Sequence, residues 1–478
     1  MRGVYTVDEV QAAEEALMAR LPDGALMARA ANGLAVECFR LLQDRLGGVY
    51  GAHVVVLVGA GNNGGDALYA GAALARRGAH VTALLLDEGR VHEGGRDALV
   101  RAGGVTAAPD PDVVRRADLV LDGIVGIGGR GGLRDAAVPL ARAARDVTTV
   151  AVDVPSGVDA RTGEVGDDTI HADVTVTFGA LKPGLLVGVG SERVGELRFV
   201  DIGLDATLPE ASTFVLEAAD VAELLPTPTA ADDKYTRGVV GMVSGSADYP
   251  GAGVLSTGAA ISGGAGMVRY AGSAADTIQA KYPEVVVERG AKPSEQRVQA
   301  WAVGSGIGTD DAARDLLADV LGTDVPVLVD ADAITLLGEH PELLRERTAP
   351  TVLTPHDREF ARVADGPSAD RLASARQAAQ DLGVIMLLKG DATIVAAPDG
   401  RAWINRTGTP WLGTAGSGDV LSGLIGSLLA SGVEPPLAAA AAAHVHGVAG
   451  QLAARSGPPS SNDVLDALRA ALQLVRAG

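Results

Sequence analysis

Residues 53–67 read HVVVLVGAGNNGGDA, an apolar run rich in β-branched residues that leads into a glycine-rich turn. This pattern predicts a strand buried on both faces of a parallel sheet, followed by a helix over residues 67–77. Strand-like runs then alternate with helical segments, at 80–86, 118–121, 149–154, 173–178 and 196–202. Because such alternation is typical of doubly wound α/β domains, we assign residues 1–215 to a first domain of that class.

Residues 225–233, LPTPTAADD, interrupt this alternation, because a stretch rich in Pro, Thr and Asp does not easily continue a helix or a central strand. A second α/β series begins with a strand at 238–244 and a helix at 253–264. Further strands are predicted at 302–304, 325–330, 351–353, 384–389 and 392–396. We therefore assign residues 226–478 to a second α/β domain with its own core.

The composition limits the classes of partner that the chain is expected to bind. Its 478 residues carry 60 acidic and 40 basic side chains, which gives a formal net charge of −20. This field repels nucleic acid and anionic membranes, so neither is expected as a partner. No apolar run approaches the roughly 20 residues of a membrane span, and the first residues lack a signal-peptide pattern. The single cysteine, Cys38, fits a reducing compartment, and we expect a buried thiol in a cytoplasmic protein.

The glycine-rich turn at residues 59–67 offers backbone amides at the start of a helix, where phosphate groups bind. A turn of this kind can also serve only to reverse the chain. Asn62, Asn63 and Asp66 favour a binding site, because two amides and a carboxylate supply hard oxygen ligands and hydrogen-bond partners.

Two more clusters follow predicted strands of the first domain. Residues 122–132 read DGIVGIGGRGG and residues 151–163 read AVDVPSGVDARTG, so Asp122 and Asp153 stand at strand ends. Ligands bind at the carboxyl ends of the strands in open α/β sheets. One such aspartate alone is more simply a cap or turn residue, but three clusters together indicate a ligand site.

These three motifs resemble those of the NAD(P)HX epimerase family, which has a Rossmann-like domain and interconverts the two epimers of hydrated NADH and NADPH. The resemblance covers about the first 210 residues, with Ala67 in place of a common glycine. It implies that potassium is bound by Asn63, Asp122 and Ser156 and that Asp153 is the catalytic acid or base. It also implies a dinucleotide site formed by Asn62, Asn63, Gly64, Gly65, Asp66, Gly126, Ile127, Gly128, Gly129, Arg130, Gly131, Gly132 and Asp153.

The second domain carries the strongest single motif, GTAGSGDVLSG at residues 413–423, in which small residues precede an apolar helix with Asp419 in its first turn. The amides of residues 415–418 would stabilise charge on a transferred phosphoryl group, and Asp419 would take the proton of the attacking hydroxyl. The alternative is a plain glycine-rich helix start with Asp419 as a first-turn charge. The motif resembles the ribokinase-like superfamily.

Four ordered segments narrow this resemblance to the ADP/ATP-dependent NAD(P)HX dehydratase family: KYTRGVVGMVSGSADYPGAGVLS (234–256), AVGSGIG (302–308), TPHDREF (354–360) and LLKGDATIV (387–395). The resemblance implies that Mg²⁺ assists the nucleotide reaction. The residues implied to contact the hydrated dinucleotide are Gly253, Gly306, His356 and Asp419. Those implied to contact the adenine nucleotide are Lys389, Gly390, Asp391, Ala392, Thr393 and Gly418.

Three histidines in this domain have simpler interpretations. A lone histidine is more often a structural hydrogen-bonding group than a ligand, so only its motif favours a binding role for His356. Asp357 and Arg358 stand where the family usually has Pro-Gly, and we therefore expect a less tightly turned loop after that histidine. His444 and His446, within an alanine-rich segment predicted as a packed helix, keep the structural interpretation.

Together the resemblances imply a bifunctional enzyme that epimerises the hydrates NADHX and NADPHX and dehydrates one epimer with ADP as co-substrate, releasing AMP and phosphate. ADP is inferred over ATP because bacterial fusions of this kind resemble ADP users. A homo-oligomer is expected because the family often assembles. One alternative is a small-molecule kinase, for example of a vitamin precursor, with a dinucleotide-binding regulatory domain. Another is a sensor that binds NAD(P) derivatives without catalysis.

Overall fold

The computed structural model describes residues 1–129, 132–345 and 347–477. It divides into two compact units, one of Gly3–Ala211 and one of Met1–Arg2 with Ser212–Gly478. Within the described residues, the helices include none that is both long and apolar enough to cross a membrane.

The N-terminal unit has a parallel sheet covered by helices, which confirms the predicted doubly wound class. Up to residue 200 the strands are β1 Arg2–Val4, β2 His53–Val58, β3 His80–Leu85, β4 Val105–Ala107, β5 Leu119–Gly123, β6 Thr149–Val152, β7 Val174–Phe178 and β8 Glu196–Val200. The helices are α1 Val7–Met18, α2 Ala25–Leu46, α3 Asn62–Ala75, α4 Glu93–Arg101, α5 Pro111–Arg115 and α6 Val138–Ala144.

The order of strands in this sheet is β4-β3-β2-β5-β6-β7-β8. Chain order runs outward in one direction from β2 and in the other from β5, so the topology switches between these two strands. In β2 every residue after His53 is buried, as expected for a strand covered on both faces. Open α/β sheets bind ligands beside the carboxyl ends of the strands at such a switch.

Helix α3 begins earlier than the sequence predicts. The expected helix over residues 67–77 instead starts at Asn62, so the whole asparagine-rich motif lies in its first two turns. Gly64 and Gly65 are poor helix formers, which is why propensity alone predicts a turn. Packing overrides that preference, because a side chain at Gly64 would lie 2.5 Å from the carbonyl oxygen of Gly59.

The C-terminal unit has its own sheet, of order β1-β9-β18-β17-β16-β15-β14-β13-β10-β11-β12. The further strands are β9 Thr213–Val215, β10 Val239–Val243, β11 Met267–Tyr270, β12 Val286–Val287, β13 Ala300–Val303, β14 Val327–Val329, β15 Thr351–Leu353, β16 Ile385–Leu388, β17 Thr393–Ala396 and β18 Ala402–Asn405. Strand β9 pairs with β18, so residues 213–215, grouped with the first domain from the sequence, belong to this sheet.

The helices of the C-terminal unit cover this sheet. They are α7 Ala218–Leu224, α8 Pro250–Ser262, α9 Ala275–Lys281, α10 Asp311–Leu321, α11 Asp332–Glu339, α12 Glu342–Arg345, α13 Asp357–Val363, α14 Arg371–Leu382, α15 Ser417–Ala430, α16 Pro435–Ala454 and α17 Ser461–Ala477. Along the sheet, every neighbouring pair between β12 at one edge and β16 is parallel. The pairs β16–β17 and β17–β18 are antiparallel. A second topological switch lies between β10 and β13.

Candidate functional site

The N-terminal site lies at the switch between β2 and β5. The turns after these strands pack so closely that a side chain at Gly59 would lie 1.8 Å from the carbonyl oxygen of Ile124. A side chain at Gly126 would lie 2.7 Å from Oδ1 of Asn63, in the first turn of α3. The structure therefore brings the asparagine-rich and glycine-rich motifs together, with the free amides of a helix start between them.

Asp122 and Ser156 form a buried oxygen cluster beside this junction. The Ser156 hydroxyl donates to Oδ1 of Asp122 at 2.6 Å, and the Ser156 amide donates to Oδ2 at 2.8 Å. Burial raises the pKa of Asp122 to about 6, against hydrogen bonds from Ser156 that lower it. Among the described residues, Asp122 has no Lys, Arg or His ion-pair partner.

The donor set around Asp122 fits a monovalent cation. The carboxylate of Asp122, the hydroxyl of Ser156 and the amide oxygen of Asn63 are hard ligands, and the carbonyl of Val125 lies 3.2 Å from the hydroxyl. The side-chain nitrogen of Asn63 is buried without a hydrogen-bond partner. A buried carboxylate without a counter-charge is costly, and a bound cation would remove that cost.

Asp153 follows β6 in a left-handed backbone conformation, with φ of 66°, that non-glycine residues seldom adopt outside functional sites. Its Oδ1 accepts from the Lys182 ammonium at 2.6 Å, the Thr177 hydroxyl at 3.1 Å and the Phe178 amide at 3.2 Å. Lys182 is only 1% exposed and also donates to the hydroxyl of Thr177. This ion pair orients the carboxylate and places a buried positive charge beside it.

Sequence reasoning missed Lys182 altogether. It stands in ALKPGLLVG at residues 180–188, and a single lysine in such an apolar stretch was the available signal. Asp66 was predicted only as a binding residue. It is 9% exposed, its Oδ1 has no hydrogen-bond partner, and its pKa is raised well above 3.8 by burial and by the charges of Asp153 and Glu14.

The glycine loop after β5 is only partly described. Gly128 is exposed, and nothing approaches a side chain placed there within 4 Å, whereas Ile127 and Gly129 are half-buried. Gly132 packs against the backbone of Gly166. The predicted dinucleotide contacts Arg130 and Gly131 lie outside the described residues.

The C-terminal site lies at the switch between β10 and β13. A side chain at Gly253, in α8, would lie 2.9 Å from the carbonyl oxygen of Ser244. A side chain at Gly306 would lie 3.2 Å from the Cβ atoms of Tyr249 and Ala252. The structure thus brings the two predicted glycine contacts together on one wall of this site.

Asp419 lies in the first turn of α15, as predicted, after Gly416 in a left-handed conformation at the N-cap. Burial raises the pKa of Asp419 to about 6, with a further rise from Asp330, while a hydrogen bond from Ser305 and the charge of Lys389 lower it. A carboxylate with this pKa is mostly ionised at neutral pH and accepts a proton readily, as a general base requires.

Lys389 is the cation of this site. Its ammonium lies 3.0 Å from Asp330 and 3.7 Å from Glu359, and 3.5 Å from the position that a side chain at Gly418 would occupy. Asp330 is 2% exposed, follows β14 and accepts from the hydroxyl of Ser422 at 2.7 Å. The structure therefore joins two predicted nucleotide contacts, Lys389 and Gly418, to the start of α15.

The sequence also missed Asp330 and Glu359. Asp330 was assigned to a strand over residues 325–330, although an aspartate ending an apolar strand is the same signal that identified Asp122.

In the described part of the chain, no group of three or more His, Cys, Asp or Glu residues is arranged to hold a metal ion. Mg²⁺ commonly binds through one or two carboxylates together with nucleotide phosphates, and the carboxylates of this site fit that mode.

His356 caps α13. Its Nδ1 accepts from the amides of Arg358 and Glu359 at 3.1 and 3.3 Å, and its ring is half exposed. The expectation of a looser loop after His356 is wrong, because α13 begins directly at Asp357. Asp357 is held there by an ion pair with Arg371.

The remaining predicted nucleotide contacts lie at the β16–β17 hairpin. Gly390, Asp391 and Ala392 are in its turn, and Thr393 is the first residue of β17. His444 and His446 are buried in α16, which confirms the predicted packed helix. Burial lowers the pKa of His446 to about 4.

Comparisons with known proteins agree with this arrangement. Residues 240–469 match the family model described as NAD(P)H-hydrate dehydratase, and residues 24–184 match that of the YjeF-related protein N-terminus. The chain is 50% identical over 443 residues to the bifunctional NAD(P)H-hydrate repair enzyme of Mycobacterium tuberculosis strain CDC 1551, covering 92% of each chain. This chain belongs to the bifunctional NAD(P)H-hydrate repair enzyme family. The match to the Mycobacterium leprae repair enzyme is 48% over 481 residues and covers 99% of both chains.

The matches confirm the predicted repair family over the kinase and sensor alternatives. A solved ribokinase-like protein of Enterococcus faecalis is similar to this chain with a TM-score of 0.51 and 24% identity, covering 56% of this chain and 98% of that one. At that identity the likeness shows the fold alone, and it confirms the ribokinase-like class of the C-terminal part of this repair-family member.

Proposed function

We propose that the C-terminal unit dehydrates NADHX and NADPHX by phosphorylating their hydroxyl group with ADP. The observation that carries this proposal is Asp419 at the start of α15, with Lys389 beside it. Asp419 takes the proton of the substrate hydroxyl as its oxygen attacks the terminal phosphorus and the bond to AMP breaks. Lys389 and the amides at the start of α15 stabilise the charge of the transferred group.

Phosphorylation makes the subsequent elimination possible. Hydroxide is a poor leaving group, whereas phosphate departs with the electrons of the carbon–oxygen bond. The ring nitrogen supplies electrons to that carbon, and loss of a proton from the adjacent carbon restores the dihydropyridine. Mg²⁺, when bound with the nucleotide phosphates, would neutralise part of their charge. Gly253, Gly306 and His356 are proposed to contact the dinucleotide, and the β16–β17 turn the nucleotide.

The N-terminal unit is proposed to interconvert the two epimers of the hydrate, with Asp153 as the proton-transfer group. Its ion pair with Lys182 supports this role, because it holds the carboxylate in a fixed orientation at a strand end beside the switch point. Asn63, Asp122 and Ser156 are proposed to hold potassium, which would supply a fixed positive charge near the dinucleotide phosphates. The single cysteine, a buried free thiol, supports a cytoplasmic location.

One assay tests both halves. The full chain is incubated with mixed hydrate epimers and either ADP or ATP, and recovery of reduced-cofactor absorbance is followed. Asp419→Asn should abolish nucleotide-dependent recovery and leave epimer exchange intact. Asp153→Asn should do the reverse, so that only the epimer that the dehydratase accepts is consumed at the enzymatic rate. Dehydration retained by Asp419→Asn, or epimer exchange retained by Asp153→Asn, would contradict the respective assignment.

A further inference from the structure

Two carboxylates at the N-terminal site occupy opposite electrostatic environments. Asp153 is paired with the buried ammonium of Lys182 at 2.6 Å, and its Oδ1 receives three hydrogen bonds. Asp66, on the second turn of α3, is nine-tenths buried and has an Oδ1 without a partner. No cation among the described residues forms an ion pair with Asp66. Asp153 is therefore stabilised as an anion, whereas Asp66 is not.

The groups around Asp66 reinforce this difference. Burial is the largest cause of its raised pKa, followed by the negative charges of Asp153 and of Glu14, which lies on α1. Lys182 is directed to Asp153. On the α4 side, His92 contacts the neighbouring Gly65 position, where a side chain would lie 3.0 Å from its ring. The pKa of Asp66 is therefore raised, while the Asp153 carboxylate has the Lys182 ammonium beside it. Neighbouring carboxyl groups in such different environments are suited to act as an acid and a base.

We propose that Asp66 is the second proton-transfer group of the epimerase and donates a proton to the substrate while Asp153, positioned by Lys182, accepts one. This proposal rests on the epimerase function proposed above. It assigns a proton-donating role to a residue that the motif resemblance treats only as a binding contact. It also explains why a buried carboxyl oxygen lacks a partner, since unsatisfied buried groups are found where a ligand or a reaction requires them.

The step balances through ring opening. Asp153 takes the proton of the hydroxyl on the carbon beside the ring nitrogen, and the carbon–nitrogen bond breaks with its electron pair moving to nitrogen. Asp66 donates its proton to that nitrogen, which leaves an open-chain aldehyde. After the aldehyde rotates, nitrogen attacks its opposite face, the nitrogen proton returns to Asp66, and Asp153 returns its proton to oxygen. Both carboxyl groups end as they began.

The experiment uses the full chain without nucleotide, so that dehydration cannot consume the substrate. One purified epimer of NADHX is added, and the appearance of the other is followed by chromatography. Asp66→Asn, a neutral residue of the same shape, should lower kcat for exchange about 100-fold or more with little change in KM. Asp97→Asn, an exposed aspartate on α4, is the matched control and should retain the wild-type rate. Lys182→Arg should retain more activity than Lys182→Met.

Two further readouts separate chemistry from folding. Because Asp66 is buried without an ion-pair partner among the described residues, Asp66→Asn should keep or raise the Tm. In the wild type, exchange should fall at alkaline pH as Asp66 loses its proton, and the residual activity of Asp66→Asn should lack that decline. Exchange within about threefold of wild type in Asp66→Asn, or a loss confined to KM, overturns the proposal. Failure of the wild-type chain to exchange epimers at all would instead overturn the proposed epimerase function.

Discussion

The pH dependence of dehydration offers a direct test of Asp419 as the general base. Burial raises the pKa of this carboxyl from 3.8 to about 6. A group with that pKa is about nine-tenths ionised at pH 7 and about one-tenth ionised at pH 5. Because only the ionised form accepts the hydroxyl proton, kcat/KM for the hydrate should fall about tenfold between these pH values with saturating ADP.

Neighbouring charges determine whether a substitution shifts the midpoint of the acidic limb to lower or to higher pH. The charges of Asp330 and Asp332 raise the pKa of Asp419, whereas that of Lys389 lowers it. Asp330→Asn removes a negative charge and frees Lys389 from its ion pair, so the midpoint of the acidic limb should move to lower pH. Asp332→Asn should move it in the same direction by less, because that charge has the smaller effect. Lys389→Met should move the midpoint to higher pH.

The assay measures initial rates of reduced-cofactor recovery at constant ionic strength, with a no-enzyme blank at every pH. Thermal unfolding of each variant at the two ends of the pH range separates loss of activity from loss of fold. A midpoint near the ordinary aspartate pKa of about 4 would refute the reasoning. So would a midpoint that stays unchanged in both Asp330→Asn and Lys389→Met.

Three further predictions concern the N-terminal unit. Lys182→Met leaves the Asp153 carboxylate buried without its cation and should lower the free energy of unfolding in urea by about 3–5 kcal/mol. Adding Asp153→Asn should restore most of that free energy, and wild-type stability in the single variant would argue against the buried pair. Gly126→Ala brings a methyl group within 2.7 Å of Oδ1 of Asn63 and should abolish potassium stimulation of epimer exchange. Gly128→Ala has open space around it and should keep that stimulation, so equal effects of the two substitutions would contradict this packing. Asp122→Asn should remove the rise in Tm that potassium gives the wild type, and a rise that survives the substitution would exclude this carboxylate as a ligand. Since burial raises the pKa of Asp122 to about 6, potassium should bind the wild type less tightly below that pH.

Part of each site could be predicted from the sequence because its information is local. A strand followed by glycines and a helix places backbone amides at one point in space, and a carboxylate directly after such a strand lies at the same sheet edge. Asp122, Asp153 and Asp419 were found in this way. The start of α3 was not, because consecutive glycines locally favour a turn. In the fold these glycines are needed for close packing, since a side chain at Gly65 would lie 3.0 Å from the ring of His92.

The residues that the sequence did not identify act across long separations. Lys182 lies 29 residues from its partner Asp153, and Asp330 lies 59 residues from its partner Lys389. Neither pair has a spacing that any helix or strand period connects, so only the folded sheets bring them together. Glu359 was passed over for a similar reason, since it faces Lys389 only after α13 begins directly at Asp357.

The sequence by itself determined the two α/β units, the family and the glycine-rich segments at which α3 and α15 begin, because strand and helix periods and glycine-rich turns depend on neighbouring residues. The tertiary structure decided the pKa shifts of Asp66, Asp122 and Asp419, because these depend on burial and on groups contributed by distant elements. The stretch of residues 53–67 shows both levels. Its residues predict the strand and the anion-binding turn, but only the packed fold starts α3 at Asn62 and buries Asp66 without a counter-charge.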